Sequence, residues 1–152
     1  MAVTINAICE AIRTTLGASA ELESTALYDE MTESISDRDC PRLNVYPDEF
    51  DPNAISPGDR TTLPAAFQVQ ELVVHADLHG AQRTKLSDDL STTIDATESL
   101  ITILEAQTGK AGAPIFGLSS IKGLTWTWKR ATFRYGDKRF VGGRFTLRCR
   151  VF

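Results

Sequence analysis

The run Arg144-Phe145-Thr146-Leu147-Arg148-Cys149-Arg150-Val151 constrains the chain more than any other stretch. Four apolar residues alternate there with three arginines and a threonine. A period of two sends alternate side chains to opposite faces of a strand, so Phe145, Leu147, Cys149 and Val151 face a core while Arg144, Thr146, Arg148 and Arg150 face away from it. A half-buried strand of this kind belongs to a sheet covered on one side only, the common condition of an antiparallel sheet. Something else in the chain must supply the cover.

Two stretches have the right period to do so. Ile5, Ile8, Ile12 and Leu16 recur at spacings of three and four, with Thr4 as N-cap and Gly17 at the C-terminal end. A longer helix is expected from about Thr84 to Gln107, with Leu86, Leu90, Ile94, Ile101 and Leu104 as its apolar stripe and Leu100 and Ile103 widening it. Asp88-Asp89 suit the positive end of its dipole. Helices apolar on a single stripe lie on something else, and the sheet is the partner at hand.

Further strands come from the same period. Arg42-Leu43-Asn44-Val45-Tyr46 reads as a short one closed by Pro47, and Phe67 to Leu78 as a longer one whose phase slips at Gln70-Glu71, as a bulge would make it. Thr125 to Tyr135 carries Trp126, Trp128, Phe133 and Tyr135; Gly136-Asp137 and Gly142-Gly143 read as turns. Glu21 to Asp39 is read as irregular structure followed by a strand near Thr32 to Ser36. Asp48 to Pro64 is a polar stretch punctuated by Pro52, Pro57, Gly58 and Pro64, expected as a loop or arm that orders on a partner. The expectation is one α+β domain over residues 1–152, a mostly antiparallel sheet with two amphipathic helices on one face and an extended loop at 48–64.

The formal charge of −4 conceals a split. Through Gly112 there are 7 Lys+Arg against 19 Asp+Glu; from Ala113 onward there are 9 Lys+Arg against 1 Asp. The two parts either neutralise each other within one fold or meet unlike surfaces on neighbouring copies. No apolar run approaches the ~20 residues of a membrane span, and the N-terminus lacks the basic and apolar regions of a secretory signal, so a cytosolic origin and no membrane contact are expected. Cys9, Cys40 and Cys149 form no CxxC pair and are expected as free thiols, Cys9 and Cys149 as small buried hydrophobes.

Reaction chemistry finds little purchase. His75 and His79 would chelate together on a helix, but on a strand four residues separate them by ~13 Å. Ser119-Ser120 has no GxSxG frame, and the glycines form neither GxGxxG nor a P-loop. No catalytic residue, metal ligand or cofactor is therefore expected. The basic strands raise a different possibility, because Arg144, Arg148 and Arg150 together with nearby aromatics could hold nucleic acid. The acidic pI of about 5.2 argues against a dedicated nucleic-acid binder.

The order of these features resembles the tail terminator proteins of long-tailed bacteriophages and related neck and tail-completion proteins. It is carried by the Ile5–Leu16 helix, the segment Cys40-Pro41-Arg42-Leu43-Asn44-Val45-Tyr46, the long acidic loop, the strand and helix from Phe67 to Gln107, and the terminal Arg144–Phe152 strand. The resemblance is one of layout, with no residue signature. It implies a structural virion protein, assembled in the host cytoplasm. Its hexameric ring would cap the tail tube and join it to the head connector, with DNA passing through the lumen without sequence-specific contact. Asp48, Glu49, Phe50, Asp51, Asp59, Arg60, Arg144, Arg148 and Arg150 are the expected subunit or partner contacts. Another neck or minor tail protein, or a nucleic-acid-binding module built on the basic hairpin, are the competing readings.

Overall fold

The computed structural model describes residues 4–28, 40–51, 70–82, 86–108, 114–135 and 138–151. Helix α1 spans Ile5–Leu16 and helix α2 Leu86–Thr108. The strands are β1 (Ser24–Leu27), β2 (Arg42–Asp51), β3 (Gln70–Gln82), β4 (Ile121–Tyr135) and β5 (Lys138–Val151). They form one sheet in the order β1-β2-β3-β5-β4. Only the β1–β2 pair is parallel; the others are antiparallel. The architecture is α+β, as the alternation and the helical stripes require.

One face of the sheet is the core. Leu72, Val74, Ala76 and Leu78 of β3 and Phe145, Leu147, Cys149 and Val151 of β5 are buried beside Leu43 and Val45 of β2. Against them lie Ile8, Cys9, Ile12 and Leu16 of α1 and Ala96, Leu100 and Leu104 of α2. Both helices therefore cover the same face. Thr4 caps α1 by accepting from the Ala7 amide at 3.1 Å. Ser19 and Ser99 join the chain after α1 to α2 through a 2.6 Å hydroxyl contact.

The buried stripe of α2 runs through Thr93, Ala96, Leu100, Leu104 and Gln107. Ile94 is 48% exposed, so it does not belong to the core as the periodicity suggested. The reason is a close approach: a Cβ on Gly80 would overlap the Thr93 side chain, which fixes the helical face that meets β3. Ile94 is thereby turned away.

Three boundaries also differ from the sequence expectation. Pro47 does not close β2, which continues to Asp51 through a register shift between Pro47 and Glu49. Beyond Val45 the β1 side of β2 has no described partner, and proline is tolerated on such an edge because no ladder bond needs its missing N–H. The 48–64 loop therefore begins no earlier than residue 52, and its remainder lies outside the described residues. Gly142-Gly143 is no turn but part of β5, paired with Ala131 and Arg130. The irregularity in β3 falls between His79 and Gln82; the 67–69 portion of the expected strand lies outside the described residues, as does the strand expected at 32–36. The nearby strand that is described, β1, lies earlier in the chain at Ser24–Leu27.

Candidate interaction surfaces

Strand parity that buries Leu72, Val74 and Ala76 turns Glu71, Val73, His75 and Asp77 to the opposite, helix-free face of the sheet. The same parity in β5 presents Arg144, Thr146, Arg148 and Arg150 there. The register sets Asp77 opposite Arg144, and His75 opposite Thr146. Tyr46 of β2 stands opposite His75. An ordered polar row results.

At its centre is a closed triad. The Asp77 side chain is almost fully buried, and the Arg144 guanidinium clasps it with Nε donating to Oδ1 at 2.8 Å and Nη2 to Oδ2 at 3.1 Å. Tyr46 donates to Asp77 Oδ2 at 2.7 Å, and its hydroxyl accepts from Arg144 Nη2 at 2.9 Å. Asp77 holds the Arg144 guanidinium above its ordinary pKa. Bidentate pairing of this kind fixes geometry as well as charge. The arginine also lies 6.0 Å from the Phe133 ring centroid.

Two weaker pairs flank the triad. His75 Nε2 lies 3.0 Å from Asp48 Oδ2, and its Nδ1 is 3.3 Å from Thr146 Oγ1. Arg148 reaches Glu71 at 2.9 Å, both groups being partly open to solvent. His79 differs from His75 in being fully buried against Phe133 at 4.4 Å and Phe140 at 6.0 Å between ring centroids. Burial pushes its pKa down to about 4, so the imidazole is neutral at physiological pH. Burial also pushes the Cys149 thiol up to about 12 and raises Cys9. Neither supplies a thiolate nucleophile near neutrality. Among the described residues no group of three or more His, Cys, Asp or Glu is placed to hold a metal ion.

The expected contact residues are thus divided. Arg144, Arg148 and Arg150 share one row on the open face, with the first two engaged by Asp77 and Glu71 of their own chain. Asp48 stands at the β2 bulge against His75. Glu49, Phe50 and Asp51 belong to β2, in register with Val73, Leu72 and Glu71. Asp59 and Arg60 lie outside the described residues. Nothing local points to Tyr46, Asp77 or Glu71 as partners, because the signal lies in strand register between distant segments.

A second surface was equally hidden. On the helix side, α2 and the β4–β5 hairpin enclose a groove of about 320 Å³ lined by Leu90, Ile94, Thr97, Trp128, Arg130 and Val141, among others. Trp128 is 38% exposed there. Beyond it on the same strand face come Arg130 and Arg134, and Arg134 stands directly opposite Arg139. All three arginines are exposed and form no ion pair with a described carboxylate.

No described helix is long and apolar enough to cross a membrane. No family model matches the chain, and comparison with curated proteins finds no significant relative.

Proposed function

We propose that the chain is a structural subunit of a phage tail, a terminator that joins copies of itself into a hexameric ring capping the tail tube beneath the head connector. The observation that carries this reading is the sheet itself. The described carboxylates on its open face close on arginine or histidine within the chain, while both edge strands, β1 and β4, retain an unpaired side among the described residues. A face whose described carboxylates are satisfied internally and whose sheet edges are open suits protein neighbours better than a substrate. The layout of α1, β2, β3, α2 and the β4–β5 hairpin supports the same family reading. In this role the protein has no catalytic centre, and DNA crosses the ring without base contacts.

The test is a polymerisation assay. Tail-tube protein assembled in vitro with this chain should give tubes of arrested length, with ring density at one end in negative-stain images. Tubes that grow equally long with and without it, and carry no added density, reject the terminator reading. Density elsewhere on purified particles would assign the chain to another neck or minor tail position.

A further inference from the structure

The described structure exposes four large hydrophobic side chains, and they fall into two pairs on opposite ends of the sheet. Ile94 and Trp128 lie at the β4 end, 48% and 38% exposed. Ile5 and Tyr28 lie at the β1 end, 37% and 39% exposed. Tyr28 follows β1 directly, and its hydroxyl donates to Asn6 Oδ1 at 2.6 Å, which places it beside the first turn of α1. Its φ of 59° is one that a bulky side chain rarely adopts. An exposed aromatic held in a costly conformation by a specific hydrogen bond is fixed rather than merely left in solvent.

The charges at the two ends are opposite. At the β4 end, Arg130, Arg134 and Arg139 gather on the helix side, next to the groove that Ile94 and Trp128 line. Like charges directly across a ladder repel, so the Arg134–Arg139 pair destabilises the isolated hairpin until an anion comes between them. At the β1 end, Glu21 and Glu23 are exposed on the segment that leads from α1 into β1. Glu10 is exposed on α1, paired with Arg13 at 2.7 Å. One end thus presents an apolar pair beside three arginines and a single groove carboxylate, Glu98, and the other an apolar pair beside carboxylates.

We infer that the β4 end of one copy docks the β1 end of the next, with Ile5 and Tyr28 covering the Ile94–Trp128 groove and Glu21 and Glu23 set against Arg130, Arg134 and Arg139. The inference rests on the reading above in taking a second copy as the occupant, and adds which surfaces meet. Because the two surfaces differ, the contact is heterologous: it repeats head to tail, and closes into a ring or runs on as a filament according to the rotation between neighbours. Charge complementarity selects a second copy, since Glu21 and Glu23 are exposed at the β1 end and form no ion pair with a described residue.

Three variants of the full chain test it by sedimentation velocity over a wide concentration range, at low and high salt. The first carries Arg130→Glu, Arg134→Glu and Arg139→Glu, which leaves both ends anionic; the second carries Glu21→Arg and Glu23→Arg, which leaves both cationic. The third is Ile94→Asp. The native chain should self-associate, less at high salt, and each variant alone should associate at least about a hundredfold more weakly, since juxtaposed like charges in the first two, and a carboxylate buried in the apolar contact in the third, cost several kcal/mol. An equimolar mixture of the first two should associate again, because each then meets its opposite. All substitutions are at exposed positions, and circular dichroism checks that each variant folds. A native chain that stays monomeric throughout, association indifferent to the variants, or a mixture that fails to recover each overturns the inference. So does a native monomer that binds duplex DNA and loses that binding in the first variant, which would assign the arginines to a polyanion. Failure of the terminator reading is separable. If the first variant arrests tube growth as well as the native chain does, the docking is wrong and the reading survives. If association follows the charges but tubes are never capped, the docking stands and the reading falls.

Discussion

Asp77 and Glu71 lie on one strand and one face, each facing an arginine, yet they differ in what surrounds them. Asp77 is buried with both oxygens engaged, whereas the Glu71–Arg148 pair is open to water. Replacing Asp77 by Ala strands a partly buried guanidinium and a tyrosine hydroxyl. Urea unfolding should record a loss of about 1–3 kcal/mol. Glu71→Ala should cost no more than about 0.5 kcal/mol, as exposed pairs do. Burial of His79 makes part of the stability acid-sensitive. The unfolded chain takes up a proton at this imidazole near pH 6.5 and the folded chain only near pH 4, so unfolding binds a proton in that window. Stability contributed by the neutral ring is whole above pH 6.5 and falls as pH drops towards 4, by as much as about 3 kcal/mol. In His79→Gln the fall across that interval should be shallower by a comparable amount; a curve parallel to the native one would contradict the assignment. Among the thiols, half-buried Cys40 should react with a thiol reagent well before Cys9 and Cys149, which are fully buried.

Single elements obey local period until a neighbour intrudes, and the legibility of the fold follows that line. The β5 alternation and the α1 stripe needed no tertiary knowledge: each is one face of a regular element, and Ile8, Ile12, Leu16, Phe145 and Leu147 are where the period puts them. Gly142-Gly143 reads as a turn in sequence because the requirement for glycine there is external. A Cβ on Gly142 would overlap the Leu78 carbonyl of β3, and one on Gly143 would enter the Trp128 indole of β4. Glycine there serves close strand approach. Gly142→Ala should therefore cost about 1–3 kcal/mol, or more, by overpacking. Gly123→Ala meets only the Arg150 side chain at ordinary contact distance and should change thermal stability little. Ile94 reads as core in sequence because α2 is apolar on more than one side, and only the Gly80–Thr93 approach decides which side meets the sheet. β1 is illegible in sequence because four residues of Ser-Thr-Ala-Leu carry no readable period. The ion pairs of the open face were illegible for a related reason: Arg144 finds Asp77 from 67 residues away, and no window of sequence contains both.

Across the whole molecule, the charge split seen in the sequence resolves into two arrangements. Part of the basic third is neutralised by acidic β3, through Arg144 with Asp77 and Arg148 with Glu71. At the far edge Arg130, Arg134 and Arg139 form no ion pair with a described carboxylate, so neutralisation within the chain accounts for part of the split and leaves these three to the contact proposed above. The order of strands has a kinetic side. β5 follows β4 in the chain but lies between β3 and β4, and it contributes as many residues to the core cluster as β3, four each. During synthesis β1, β2 and β3 leave the ribosome long before the strand that will complete them. Until then β3 offers an unoccupied flank and the apolar row Leu72, Val74, Ala76 and Leu78 to any passing chain. Pairings this distant are slow to form. The nascent protein should lean on holdase chaperones, and fragments halted after α2 should be recovered as aggregates rather than as a smaller native sheet.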